Sequence, residues 1–240
     1  MSINSHPACP FATISLGCVP QCGFSVAAAN LYAGKIITIG TLIAVFISTS
    51  DEAIPLLLSN PESGMVILKL LLIKVIIATL FGIIIDFIER KNKHVAEPSD
   101  FAEICTHCGC EHGILKSAIK HTLNIFIFIL FLSVGLNIVT ELIGMENLSK
   151  ILLTDSIFQP FLSALIGFIP NCSASILLTE LYIEGTLSFG SVIAGLCTGA
   201  GVGIAVLFRT NKSMKDNFKI VFYLYFIAVI SGTAIHLLGI

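Results

Sequence analysis

Gly17-Cys18-Val19-Pro20-Gln21-Cys22-Gly23-Phe24-Ser25 and, 150 residues further on, Gly167-Phe168-Ile169-Pro170-Asn171-Cys172-Ser173-Ala174-Ser175 align without a gap. The register persists beyond them. Leu31-Tyr32 meets Leu181-Tyr182, Gly40 meets Gly190, Ile43-Ala44 meets Ile193-Ala194, Ser48 meets Thr198 and Lys69 meets Lys219. Apolar composition alone seldom retains Gly, Pro, Cys and Tyr together, so the chain carries an internal repeat. Each copy places a proline inside an apolar stretch, where it removes one backbone donor and frees a carbonyl. Pro20 and Pro170 each lie one residue from a side-chain amide (Gln21, Asn171) and two from a thiol (Cys22, Cys172), so each tip offers oxygen and sulfur.

Composition states what surrounds this repeat. Of 240 residues 55% are hydrophobic and 12% charged, with a mean hydropathy of +0.96, which excludes a soluble globule. Apolar runs of about twenty residues, the length an α-helix needs to cross about 30 Å of hydrocarbon, make the chain an all-α polytopic membrane protein. Thirteen Lys and Arg against fifteen Asp and Glu give a net charge of −2, so nothing suggests nucleic acid as a partner. The first 34 residues hold no charged side chain and are broken by Pro7, Pro10 and Pro20, unlike a signal peptide. Four of the eight cysteines (Cys18, Cys22, Cys172, Cys197) fall in apolar segments and read as thiols or ligands rather than disulfides.

The punctuation of the runs predicts helices at 37–58, 65–88, 119–143, 187–208 and 217–239, with proline-broken segments at 10–32 and 157–182. Basic residues gather at Arg90, Lys91 and Lys93 with Lys116 and Lys120, and again at Arg209, Lys212 and Lys215, which places both loops in the cytoplasm. Three full crossings between those loops would leave the second outside, so the Pro170 segment is expected to be re-entrant. Counting from the same loops puts the Lys35 turn inside and the equivalent turn at Glu184 outside. The expected architecture is therefore two inverted-topology repeats, each with a Pro/Cys-containing broken or re-entrant helix. Its parts are a first transmembrane repeat (1–88), a cytoplasmic Cys/His loop (89–118) and a second repeat (119–240).

Inverted repeats with broken helices are a signature of secondary transporters, whose sites lie near the bilayer midplane. Asp51 and Glu52, behind Ser48-Thr49-Ser50, sit within an otherwise apolar helix, and a carboxylate there normally marks an ion or proton path. Lys74, at comparable depth in the next helix, is the expected charge partner. At the 150-residue offset Asp51-Glu52 become Gly201-Val202 and Lys74 becomes Leu224, so both signs are missing together from the second half. Gly195, Gly199, Gly201 and Gly203 there read as a surface for close helix packing. Lys69 and Asp86, near helix ends, are assigned no chemistry. The candidate substrate ligands are Gln21, Cys22, Ser25, Ser48, Asp51, Glu52, Asn171, Cys172, Ser175, Glu180, Cys197 and Thr198. In the loop, Cys105, His107, Cys108, Cys110 and His112 form a metal-binding tract that would take Zn or another soft divalent cation.

Several strings resemble a known family. They are Val19-Pro20-Gln21-Cys22-Gly23-Phe24-Ser25, Gly40-Thr41-Leu42-Ile43-Ala44-Val45-Phe46-Ile47-Ser48-Thr49-Ser50-Asp51-Glu52-Ala53, His112-Gly113-Ile114-Leu115-Lys116-Ser117-Ala118, Ile169-Pro170-Asn171-Cys172 and Gly195-Leu196-Cys197-Thr198-Gly199-Ala200-Gly201-Val202-Gly203. They look like the ten-transmembrane heavy-metal exporter family, whose members are labelled manganese transporters or arsenic efflux proteins. The resemblance implies an exporter of metal or metalloid ions in the bacterial cytoplasmic membrane. Family members carry a further apolar helix before the Pro20 hairpin, equivalent to 119–143, which this sequence lacks. That departure raises either an internal start or completion of the first half by association in a homo-oligomer. Oxygen ligands at Asp51 and Glu52 favour manganese or another hard divalent cation, whereas Cys22, Cys172 and Cys197 would suit arsenite. No Ser/His/Asp or H-E-x-x-H arrangement lies at lipid depth, so an enzyme is not expected. The expected partners are the metal ion as substrate and the lipid bilayer, with no permanently bound cofactor.

Overall fold

A computed structural model describes residues 23–49, 53–58, 64–89 and 158–238, with scattered helical positions between Leu123 and Ile138. The described residues are helical and contain no strand. In chain order they form α1 (Gly23–Ala33), α2 (Ile39–Ser48), α3 (Ala53–Leu58), α4 (Gly64–Glu89), α5 (Gln159–Gly167), α6 (Cys172–Ile183), α7 (Phe189–Thr198), α8 (Val202–Thr210) and α9 (Met214–Leu238). The stretches Ile39–Leu58, Gly64–Glu89, Phe189–Thr210 and Met214–Leu238 are long and apolar enough to cross a membrane. The chain is a multi-pass, all-α membrane protein.

The two halves reuse one plan. Helices α1, α2, α3 and α4 begin 149 or 150 residues before α6, α7, α8 and α9. The turns that follow α1 and α6 match bond for bond: Ile36 N–H donates to Leu31 O and Thr186 N–H to Leu181 O, through positive-φ residues at Lys35 and Gly185. Thr38 and Ser188 then cap α2 and α7 by accepting the N–H three residues on. These local signals sit at the same offset as the Pro-x-Cys motifs.

In one respect the expectation is corrected. The runs 37–58 and 187–208, expected as single helices, are each interrupted. In the first, α2 ends at Ser48 and Thr49 is extended (φ −62°, ψ 131°). The Thr49 N–H (3.0 Å), the Thr49 hydroxyl (2.6 Å) and the Ser48 hydroxyl (3.0 Å) all donate to Val45 O. Hydroxyls that bond back in this way compete with continuation of the helix. In the second, Gly199 caps α7 and Gly201 takes φ 54°, a conformation that glycine adopts without a Cβ clash. Gly199 and Gly201 thus make the break, and only Gly195 and Gly203 of that quartet act as packing positions. The 157–182 segment is two helices joined through a turn containing Pro170. At 1.5 Å per residue neither α5 nor α6 spans about 30 Å alone.

Burial sorts the helices. α2 and α7 are almost wholly buried and pack against each other at the centre, with α4 laid on α2 and α9 on α7. A helix that is apolar all round belongs in such a centre. α4 and α9 expose stripes at four-residue spacing, Leu68-Leu72-Ile76-Leu80 and Phe218-Phe222-Phe226-Ile230, as expected of faces toward lipid. The halves also exchange contacts. α1 of the first packs on α8 of the second, and α6 of the second on α3 of the first.

Glycine sets how near the centre packs. A Cβ at Gly40 would lie 2.2 Å from Gly82 O, and one at Gly190 would lie 2.4 Å from Gly232 O. Both are backbone atoms that cannot swing aside. The same close crossing therefore appears in both halves, α2 over α4 and α7 over α9. Gly40→Ala and Gly190→Ala should each destabilise by about 1–3 kcal/mol, the usual range for overpacking, whereas Gly64→Ala, which meets nothing within 4 Å, should be neutral. With no tryptophan in the chain, the comparison is best read as the temperature at which detergent-solubilised protein loses its monodisperse peak. Equal midpoints for all three variants would remove the close crossing from the account.

Candidate substrate site at the helix interruptions

An interrupted helix leaves carbonyls without intrahelical donors at its C-terminal end. Water would satisfy them at a surface, but here the ends of α2 and α7 are buried: Thr49 is 1% exposed and Leu196 is 2%. Lys74 of α4 supplies the donor. Its ammonium donates to Thr49 O at 2.5 Å and to Leu196 O at 3.1 Å, and the side chain is 0% exposed. One cation thus joins the C-terminal ends of two helices from different halves. Both ends carry the negative pole of a helix dipole, which favours a cation there. A buried ammonium without such partners would cost several kcal/mol.

The expected ligands distribute unevenly around this point. Ser48 is buried and bonded back to Val45 O, one residue from the Thr49 carbonyl that Lys74 holds. Cys197 and Thr198 follow Leu196 directly and are fully buried. The Thr198 hydroxyl lies 2.9 Å from Gly195 O and 2.8 Å from Ala164 O, so it binds the end of α7 to α5. Ser175, on the first turn of α6, faces the second interruption, its oxygen 3.5 Å from where a Cβ on Gly199 would stand. Ser25, at the equivalent place in the first half, is buried against Gly203 of α8.

Others stand apart. Asn171 is the N-cap of α6, its side chain accepting from Ser173 N–H, and Cys172 beside it is exposed. Glu180 is exposed on α6. Gln21, Cys22, Asp51, Glu52 and the loop residues Cys105, His107, Cys108, Cys110 and His112 lie outside the described residues. Among the described residues no three His, Cys, Asp or Glu side chains come together as a metal site. The oxygens that the structure does bring together are main-chain carbonyls, which residue types do not reveal. Two signals that the sequence reading did not use lie at the breaks: the Ser48-Thr49 pair and the Gly199-x-Gly201 pair.

Asp86 is the other residue that sequence reasoning passed over. Its carboxylate accepts from the Gly40 N–H (3.0 Å) and the Thr38 hydroxyl (2.7 Å), capping the start of α2. Three residues further on, at the same end of α4, Glu89 pairs with Lys219 of α9 at 2.6 Å and accepts from the Tyr223 hydroxyl at 2.9 Å. Arg209, at the end of α8, stacks over the Phe128 ring at 4.3 Å.

No curated protein and no solved structure matches the chain. The profile of one family does, over residues 3–145 and 131–239, which together span nearly the whole sequence. With its membrane-crossing helices and repeated interrupted elements, the chain belongs to the family described as "Putative, 10TM heavy-metal exporter".

Proposed function

We propose that the chain is a secondary-type transporter of the bacterial cytoplasmic membrane that exports manganese or another divalent heavy metal from a site at the two helix interruptions. The observation that carries this reading is Lys74, a fully buried ammonium on main-chain carbonyls of both halves. In transporters built from repeats the substrate and ion sites lie where discontinuous helices of the two halves meet, and this charge is held at such a junction. Asp51 and Glu52 follow Thr49 within three residues, so they are tethered to this centre. Their carboxylates with freed carbonyls make an oxygen-rich set suited to a hard divalent ion. Lys74 is their counter-charge in the empty protein and yields to the incoming cation.

The inverted relation of the halves is part of the same reading. It is supported by the directions of equivalent helices: the last residue of α4 is paired near the beginning of α9, while the beginning of α4 and the end of α9 line one cavity. With Arg90 and Arg209 cytoplasmic, the Glu89 end faces the cytoplasm and Glu184 faces outside. The cytoplasmic loop from Cys105 to His112 captures or senses a soft cation and is not the translocation site. A second reading, arsenite efflux, has one observation in its favour: the thiol of Cys197 is buried in the residue after Leu196, whose carbonyl Lys74 holds.

The test is metal export from an efflux-deficient bacterium expressing the chain, across manganese, zinc, cadmium, cobalt and arsenite, with intracellular metal quantified. Manganese should fall most, and Lys74→Met should bring export to background while Lys74→Arg keeps part of it. Loss of the ammonium orphans two buried carbonyls, each costing about 1–3 kcal/mol, so membrane levels are measured alongside. A Lys74→Met protein that exports at the normal rate would overturn the site. Separately, a Cys172→Ser, Cys197→Ser pair should only dent manganese export. Should it instead abolish arsenite resistance in cells that never lowered manganese, the arsenical reading replaces the first. Accessibility labelling of a cysteine at position 184 checks the inversion, which fails if that position labels from the cytoplasm.

A further inference from the structure

The start of α4 and the end of α9 both line a cavity of about 420 Å³, whose walls include Val66, Lys69, Tyr182, Ser188, Gly190 and His236. The repeat supplies a second such place. At the 150-residue offset these six residues become Asp216, Lys219, Tyr32, Thr38, Gly40 and Asp86, which lie toward the other ends of the same two long helices. There the groups are bonded together. The Asp86 carboxylate takes the Thr38 hydroxyl at 2.7 Å and the Gly40 N–H at 3.0 Å, and the Tyr32 hydroxyl stands in the field of both Asp216 and Glu89. Glu89 takes Lys219 at 2.6 Å and the Tyr223 hydroxyl at 2.9 Å. These last two bonds run from α4 of the first half to α9 of the second, so they tie the halves at that end.

At the cavity end the equivalents of Glu89 and Tyr223 are Gly239 and Ile73, so the side chains that make the tie are missing. Two equivalent places thus differ in state, one drawn together and one open. Alternating access in repeat-built transporters is a rocking of one half against the other around a fixed site, and such a motion closes one end as it opens the other. We propose that Glu89, Lys219 and Tyr223 form a latch that holds the cytoplasmic ends of α4 and α9 together while the opposite mouth is open, and that it parts when the central site is exposed to the cytoplasm. The inference takes its sidedness and purpose from the transporter reading, and the latch itself from the geometry. Both charged groups are partly exposed, and such a pair contributes modestly. It is strong enough to bias an equilibrium and weak enough to part.

Amide hydrogen exchange of the purified full chain in nanodiscs, without added metal, reads the two ends separately. Glu89→Gln should speed exchange in peptides covering 83–89 and 214–223 by about fivefold, the population shift expected from losing one such pair. In the same sample, peptides covering 64–70 and 232–238 should slow, because the other mouth closes. Tyr223→Phe should give a smaller shift of the same pattern. Exchanging the charges, Glu89→Lys with Lys219→Glu, should restore the pattern of the unaltered protein and so separate the loss of the latch from misfolding. Faster exchange confined to the Glu89 end would make the pair a local clamp and overturn the proposal. So would unchanged exchange at both ends. Since exchange is read without transport, a failure to export any ion would remove the transporter reading and leave the reciprocal response standing. A missing reciprocal response beside normal export would remove the latch alone.

Discussion

A helix that stops inside a membrane must find donors for its last carbonyls, because lipid offers none. That constraint organises the centre of this protein. Both long inner segments stop partway, α2 at Thr49 and α7 at Gly199, and the carbonyls of Thr49 and Leu196 meet on a single ammonium from α4. The two halves are therefore joined by charge as well as by packing, and neither break could stay buried in this form without Lys74. The close glycine crossings serve the same arrangement, since α4 must lie against α2 backbone to backbone for its side chain to reach that depth.

Much of the plan was legible in the sequence because it is written in residues with restricted conformations. Pro170, the Thr38 and Ser188 caps and the Gly40/Gly190 and Gly82/Gly232 pairs recur at one offset, and the helices recur with them. Lys74 was legible as a charge that must be held from within, because a cation in an apolar run demands a partner. What it binds was not. Its described partners are carbonyls, and every residue has one, so the identity of the acceptors depends on where helices end. Those ends were hidden too: hydropathy runs straight through Ser48-Thr49 and Gly199-Ala200-Gly201, and length alone argued for single spans. The capping contact of Asp86 was hidden for a related reason, since distance from a helix end says nothing of a neighbouring helix start within reach.

The comparison between halves separates scaffold from chemistry. Positions that set geometry are alike in both copies: glycines at the crossings, hydroxyl caps before α2 and α7, and a left-handed residue in the preceding turn. Positions that carry charge differ in pairs. Lys74 stands where the second copy has the fully buried Leu224, and Asp51-Glu52 stand where it has Gly201-Val202. Asp86 and Glu89 stand where it has His236 and Gly239. A duplicated fold with identical charges in both copies would place like charges near one another at its centre, where repulsion is poorly screened. Confining the central cation to one copy avoids that and lets a single ammonium serve two helix ends.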